Sequence, residues 1–108
     1  MFTLAPRVQL PSAATKGETF QVKALITHQM ETGLRHDDQG KVIPRNIINK
    51  FVCRYNDVVV FNVDLHEAVA ANPYIEFYLR ATESGQLEFT WEEDGGGIYR
   101  LAHRLTVA

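Results

Sequence analysis

The chain has 108 residues, of which 45% are hydrophobic and 22% are charged, and its formal net charge is −2. This length and composition are typical of one globular domain, which we place at residues 1–108. The charge offers no electrostatic footprint for nucleic acid, and no run of about 18 apolar residues could form a membrane span.

Short segments of alternating hydrophobicity follow one another along the chain and predict β-strands. The predicted strands cover residues 6–11, 18–28, 47–55, 58–64, 74–81, 86–92 and 98–107. A hairpin turn is predicted at Asn56-Asp57, and about one helical turn at residues 65–71, ending before Pro73. About seven strands with regular turn signals predict an all-β fold, an immunoglobulin-like antiparallel β-sandwich, with Trp91 at the centre of its core.

A long segment interrupts this series between His28, where one strand ends, and Ile47, where the next begins. Connections in small domains usually have ~4–6 residues, and longer ones are commonly functional. Gly33 and Gly40 permit turns with positive φ. We therefore expect the segment to be folded.

Two interpretations of this segment remain open. Glu31 and Arg35 are four residues apart and would pair across one helical turn. In the first interpretation, Met30 and Leu34 only close the end of the sandwich. In the second, the segment is a docking surface, where methionine gives an adaptable contact and arginine a fork for carboxylate, sulfate or thiosulfonate oxygens. The predicted docking residues are Met30, Glu31, Thr32, Gly33, Leu34 and Arg35.

A second partner surface is predicted on the strand pair 47–55 and 58–64, which is apolar on both faces. The side chains predicted to face inward are Phe51, Cys53, Tyr55, Val59, Phe61 and Val63. The apolar side chains predicted to face outward are Ile48, Val52, Val58 and Val60. Four exposed apolar side chains together indicate a partner-binding patch. The alternative is a bulge or a register slip in one of the two strands.

Residues that could carry chemistry give no convincing site. Cys53 lies among large apolar residues, where a free cysteine acts as a small hydrophobe. Superoxide reductases hold iron in an immunoglobulin-like sandwich through a Cys-Asn-x-His pattern, but no histidine lies within twelve residues of Cys53. The acidic run Glu92-Glu93-Asp94 is interpreted as a solvated turn. We predict no metal, no other cofactor and no enzyme active site.

The sequence of the long segment resembles a family signature. It contains His-Gln-Met-Glu-Thr-Gly-Leu-Arg at residues 28–35 and Asp-x-Gly-Lys-x-Ile-Pro at residues 38–44. These motifs resemble the signature of SoxZ, in which a proline usually stands at the position of Gln29. Asn72-Pro73 and Phe89-Thr90-Trp91 also match, so the resemblance spans nearly the whole chain.

The resemblance implies a non-catalytic subunit of SoxYZ, the sulfur carrier complex of thiosulfate oxidation. The partner would be a SoxY-like subunit in a heterodimer, with SoxY carrying the sulfur intermediates on the cysteine of a Gly-Gly-Cys-Gly-Gly arm. This chain would stabilise that subunit and present its arm to the other enzymes of the pathway. Family members are typically exported with SoxY to the periplasm, and residues 1–6 lack the features of a signal peptide. The alternative function is a generic immunoglobulin-like or fibronectin-like binding module.

Overall fold

The computed structural model describes residues 6–27, 31, 33–65 and 73–108. Within these ranges the chain is all-β, with eight strands in two sheets. The strands are β1 (Arg7–Gln9), β2 (Ala13–Ala14), β3 (Thr19–Leu25), β4 (Ile48–Tyr55), β5 (Val58–Asp64), β6 (Tyr74–Arg80), β7 (Gly85–Glu93) and β8 (Ile98–Val107). The sandwich prediction is confirmed. The helical turn predicted at residues 65–71 lies, apart from Leu65, outside the described residues.

The two sheets have the orders β1-β3-β6 and β2-β8-β7-β4-β5. Every described strand pair is antiparallel except β2 with β8, which is parallel. β2 has only two residues, too few for an alternating pattern, and the sequence did not predict it.

The core lies between the two sheets because strands of each sheet alternate apolar and polar side chains. Phe51 stands at its centre and has four aromatic neighbours among the described residues. The ring centroid of Phe51 lies 5.2 Å from Trp91, 5.9 Å from Phe77, 6.2 Å from Phe61 and 6.3 Å from Phe89. The prediction of Trp91 as a central core residue is confirmed, since its side chain is fully buried.

The hairpin between β4 and β5 turns at the predicted position. Asn56 and Asp57 have φ angles of +49° and +69°, as a two-residue turn that matches the twist of its strands requires. The Asn56 side chain also accepts a hydrogen bond from the backbone N–H of Gln86 at 3.1 Å. A Cβ atom at Gly85 would lie 1.8 Å from that side-chain oxygen, so this contact requires glycine.

The predicted outward set of β4 is wrong at Ile48. The register of β4 against β7 shifts between Ile48 and Lys50, and this bulge turns the Ile48 side chain into the core. Val52 does lie outside the core cluster, between its cross-strand neighbours Asn62 and Thr90, but it is only 5% exposed. Neither side chain therefore belongs to an exposed patch.

A second bulge changes the predicted faces of β5. Cys53 pairs with Phe61 and Arg54 with Val59, so Val60 has no opposite residue. Val59, which we predicted to face inward, instead shares the outer face with Arg54. The exposed fractions of Val58, Val59 and Val60 are 62%, 46% and 40%. The bulge named as the alternative in the sequence analysis is therefore present in both strands.

Candidate functional site

The candidate site is the motif loop, defined as residues 31 and 33–46. Its backbone forms a narrow, irregular hairpin. The N–H of Glu31 donates to the carbonyl of Asn46 at 2.9 Å, and the N–H of Asn46 donates back at 2.8 Å. Farther out, the N–H of Ile43 donates to the carbonyl of Arg35 at 2.8 Å. The loop is therefore an ordered extension of the sandwich.

Asp37 organises the tip of the motif loop. Its carboxylate oxygen Oδ1 accepts hydrogen bonds from the backbone N–H groups of Gln39 at 2.8 Å and Lys41 at 3.0 Å. The N–H of Gly40 donates to the carbonyl of Asp37 at 3.0 Å, and Gly40 has a φ of +79°. This is a side-chain-stabilised turn in which glycine supplies the left-handed backbone.

Asp94, in the turn between β7 and β8, holds the base of the motif loop. Arg45 donates to it through two nitrogens, Nε at 2.7 Å and Nη2 at 3.1 Å. The side-chain amide of Asn49 donates at 2.8 Å and the backbone N–H of Ile47 at 3.3 Å. The Asn46 side chain accepts from the N–H of Gly95 at 3.0 Å. The interpretation of Asp94 as part of a solvated acidic turn is therefore wrong.

The surroundings of Asp94 act on its pKa in opposite directions. Burial raises the pKa of the carboxyl, but the hydrogen bonds from Asn49, Arg45 and Ile47 lower it, together with the charge of Arg45. The net pKa lies below the ordinary value. Asp94 is therefore a carboxylate at neutral pH, which suits a bidentate partner of arginine.

The outer part of the motif loop presents Arg35 and Leu34. Arg35 donates to Glu31 from Nε at 3.2 Å and from Nη2 at 2.5 Å, and its side chain is 65% exposed. The hydrogen bond from Arg35 also lowers the pKa of the Glu31 carboxyl. The two residues do pair, but not with the helical backbone through which their spacing would have allowed it. Glu31 lies in a β-bridge, and Gly33 has a φ of +86°.

The other predicted docking residues, apart from the Glu31–Arg35 pair, fall into three groups. Leu34 is 82% exposed, so the interpretation in which it closes the end of the sandwich is wrong. Gly33 packs at the loop base, where a Cβ atom would lie 3.3 Å from that of Arg45. Met30 and Thr32 lie outside the described residues. The loop is closed at its base by polar contacts of Asn46 and Asp94 instead.

The sequence analysis missed Arg45, Asn46, Asn49 and Asp94. The pairing of β4 with β7 brings the beginning of β4 next to the end of β7, although Arg45 and Asp94 are 49 residues apart. The sequence held no local signal for these contacts, because β4 and β7 are not consecutive strands and their pairing was not predicted.

Cys53 lies on the inner face of β4 and is fully buried. Burial raises the pKa of its thiol to about 12. Since the thiolate is the form that attacks electrophiles and binds metals, Cys53 is chemically inert at neutral pH. The predicted core role is confirmed.

We expect Cys53→Ser to lower the free energy of unfolding by about 1–3 kcal/mol, because the hydroxyl would need a hydrogen-bond partner in apolar surroundings. Urea denaturation measures this change, with Cys53→Ala as the smaller, apolar control. In the native wild-type protein, a disulfide reagent should modify Cys53 only after urea is added. Stoichiometric modification without denaturant would contradict the buried position.

The described residues show neither a metal-ligand cluster nor a membrane-spanning helix. Among the described residues, no three His, Cys, Asp or Glu side chains are grouped so that they could hold a metal ion. His28 and His66 lie outside these residues. No helix in the described part of the chain is long and apolar enough to cross a membrane.

Comparison with protein families gives one match. A family model described as sulphur oxidation protein SoxZ matches residues 8–102. A search of curated protein sequences gave no significant match. The family match covers the motif loop and every strand from β2 to β7, and parts of β1 and β8.

Solved structures with a similar fold include a superoxide reductase, a sulfur carrier protein and a CARDB domain. A superoxide reductase (neelaredoxin) from Ignicoccus hospitalis is 17% identical, with a TM-score of 0.71 over 95% of this chain and 80% of that chain. The sulfur carrier protein SoxY from Chlorobium limicola f thiosulfatophilum is 16% identical, with a TM-score of 0.65 over 96% and 79%. The CARDB domain of PF1109 from Pyrococcus furiosus is 7% identical, with a TM-score of 0.54 over 95% and 94%. At such low identities these neighbours show the fold alone.

Proposed function

The chain belongs to the SoxZ family of sulphur oxidation proteins, and from this we propose that it is the non-catalytic subunit of a sulfur carrier complex. It forms a heterodimer with a SoxY-like subunit, which bears the covalent sulfur intermediate during thiosulfate oxidation. The pair works in the periplasm, to which the chain is exported together with its partner. The observation that carries this proposal is the family match over residues 8–102.

The state of Cys53 supports a division of labour between two subunits. A sulfur carrier needs a thiol that is accessible and can ionise, because thiolates form the bonds to sulfur intermediates. Cys53 is the sole cysteine of the chain, it is buried, and its pKa is raised to about 12. This supports a carrier in which the covalent chemistry takes place on another subunit, and Cys53→Ser should leave carrier function intact. A sulfur adduct on Cys53 in the working complex would contradict this.

The motif loop supports a role in docking the enzymes that act on the carrier arm. The network around Asp94 fixes the base of the loop, so its outer residues are presented in a defined position. Leu34 offers an exposed apolar contact, and Arg35 offers a guanidinium that is held in place by Glu31. An arriving carboxylate or sulfonate can share this guanidinium, because the Arg35 side chain is 65% exposed and arginine has five N–H donors.

The experiment for this role is Arg35→Ala in a pathway reconstituted from purified components. The melting temperature should hardly change, because exposed ion pairs contribute only ~0–1 kcal/mol to stability. Turnover at limiting carrier should fall by about tenfold or more if Arg35 is an interface hot spot. The matched control is Arg104→Ala. This change removes an exposed arginine near the end of β8, whereas the Asp94 turn that holds the motif loop precedes the beginning of β8. If Arg35→Ala supports turnover at the wild-type rate, the proposed docking role of the motif loop is excluded.

The alternative function is a generic immunoglobulin-like binding module. It is supported only by the fold, which the CARDB domain shares. Co-expression with a SoxY-like subunit separates the two. The proposed function requires a stable one-to-one complex that survives size-exclusion chromatography. Failure of the wild-type chain to co-purify would leave the generic module as the better description.

A further inference from the structure

One edge of the five-stranded sheet has few of the features that usually protect an edge strand. Exposed edges normally carry lysine or proline, are very short, or are covered. β1 has three residues between Pro6 and Pro11, and β2 has two. β5 has seven residues without lysine, arginine or proline, and β4 is the one strand with which it pairs in the described part of the chain. Its sequence, Val-Val-Val-Phe-Asn-Val-Asp, has one charge, at Asp64.

The backbone of β5 can be divided into groups that bond β4 and groups that point away. The N–H of Leu65 donates to the carbonyl of Asn49 at 2.8 Å. In antiparallel pairs, successive residues direct their backbone polar groups to opposite sides. The N–H and C=O groups of Asn62 and Asp64 therefore point to the free edge. The bulge at Val60 is a protective feature of the hairpin end, but it leaves this half of β5 regular.

The edge of the sandwich at β5 carries an apolar surface. The rings of Phe61 and Phe77 are stacked at 4.2 Å, so β5 and β6 lie at the same side of the sandwich. The bulged half of β5 presents the exposed side chains of Val58, Val59 and Val60. A seven-residue strand is about 23 Å long and two sheets stack about 10 Å apart, so this side offers an interface of the small class.

We propose that the free edge of β5 pairs with an antiparallel edge strand of the SoxY-like subunit, so that the five-stranded sheet continues into the partner. This inference rests on the proposed function. The solved SoxY structure has a similar sandwich fold over 96% of this chain. Two subunits of one fold can pair equivalent edges about a pseudo-two-fold axis, which makes the two edge strands antiparallel. Backbone groups of Asn62 and Asp64 then bond the partner strand, and Val58, Val59 and Val60 pack on its side chains.

The decisive variant is Asn62→Pro, which removes a backbone donor that points away from β4 and spares the ladder to β4. Proline is tolerated at edge-strand positions of this kind. The affinity for the SoxY-like subunit should fall by about tenfold or more, because the partner's carbonyl would be buried without a donor. Asn62→Ala, which keeps the N–H, should bind within about threefold of the wild type. Equal binding by Asn62→Pro and the wild type would overturn the proposal.

A second variant covers the case in which Asn62→Pro fails to fold. Val59→Glu places a carboxylate opposite Arg54, a cross-strand pair that the isolated fold tolerates. It should keep its melting temperature but lose binding by about tenfold or more, since an unpaired charge in an apolar interface is strongly unfavourable. The matched control is Ile98→Glu, an exposed apolar residue on β8.

The outcomes also separate this proposal from the proposed function. If the wild-type chain does not bind the SoxY-like subunit at all, the proposed function fails. If the wild-type chain binds and both β5 variants bind as tightly as the wild type, the proposed heterodimer is supported, but the β5 edge is not its interface. If the β5 variants break only a homodimer of this chain, the edge receives a second copy instead, and the proposal is overturned.

Discussion

Replacing Trp91 with alanine is expected to unfold the domain or to bring it close to unfolding at 25 °C. The side chain is fully buried, and its ring centroid lies 5.2 Å from that of Phe51 at the centre of the core. Truncating a buried aromatic residue costs about 3–5 kcal/mol. The total free energy of unfolding of small domains is ~5–15 kcal/mol. For a domain near ~5 kcal/mol, the loss would therefore remove most of that free energy. Urea denaturation followed by circular dichroism measures the effect. Tryptophan fluorescence cannot follow the unfolding of this variant, because Trp91 is the sole tryptophan.

Two control variants show whether the loss arises from core packing. Trp91→Phe keeps an aromatic ring and removes the indole N–H, which has no hydrogen-bond partner among the described residues. It should therefore lose much less stability than Trp91→Ala. Tyr78→Ala truncates an exposed aromatic residue and should change stability by about 0.5 kcal/mol or less. A melting temperature for Trp91→Ala within a few degrees of the wild type would contradict its central position.

The strands could be predicted because their pattern is local. In β3, Phe20, Val22 and Ala24 alternate with polar residues and are buried as predicted. The turn at Asn56-Asp57 was also recognisable, since those residue types tolerate positive φ. Faces beyond a bulge were not predictable from one sequence, because one extra residue reverses the side of every residue after it.

The errors in the predicted partner patch follow from this reversal. Ile48 and Lys50 are two residues apart and would lie on the same face of a regular strand. Only the register shift between them turns Ile48 into the core. Val59 and Phe61 would likewise lie on the same face of a regular strand, but the bulge at Val60 moves Val59 to the outer face. Alternation alone contains no signal for either bulge. The result is a smaller patch, now concentrated on the free edge of β5.

The motif loop was predictable in its short-range contacts and not in its support. The spacing of Glu31 and Arg35 predicted their ion pair. The contacts of Asp94 join segments that are 45 to 49 residues apart, and they depend on the pairing of β4 with β7. Residues that hold a loop in place are therefore harder to find from sequence than residues that the loop presents.

Replacing Asp94 with alanine is the test of that support, and we expect it to release the motif loop without unfolding the core. The change removes the bidentate contact with Arg45 and leaves the N–H groups of Asn49 and Ile47 without their acceptor. Hydrogen bonds to charged groups contribute ~1.5–3 kcal/mol each and are not additive, so we expect a loss of about 2–4 kcal/mol. Limited trypsin digestion should cleave the variant faster within the loop, after Arg35 and Lys41.

The pH dependence of this effect follows from the lowered pKa of Asp94. A carboxyl whose pKa is lower in the folded state contributes stability fully above its unfolded value of ~3.9 and loses it as the pH falls through the folded value. The difference in stability between the wild type and Asp94→Asn should therefore be constant near neutral pH and shrink below about pH 4. Asp38→Asn, which changes an exposed carboxylate at the loop tip, is the matched control and should change neither stability nor cleavage. If trypsin cleaves Asp94→Ala in the loop at the wild-type rate, the Asp94 network does not hold the loop, and its defined presentation of Arg35 must have another source.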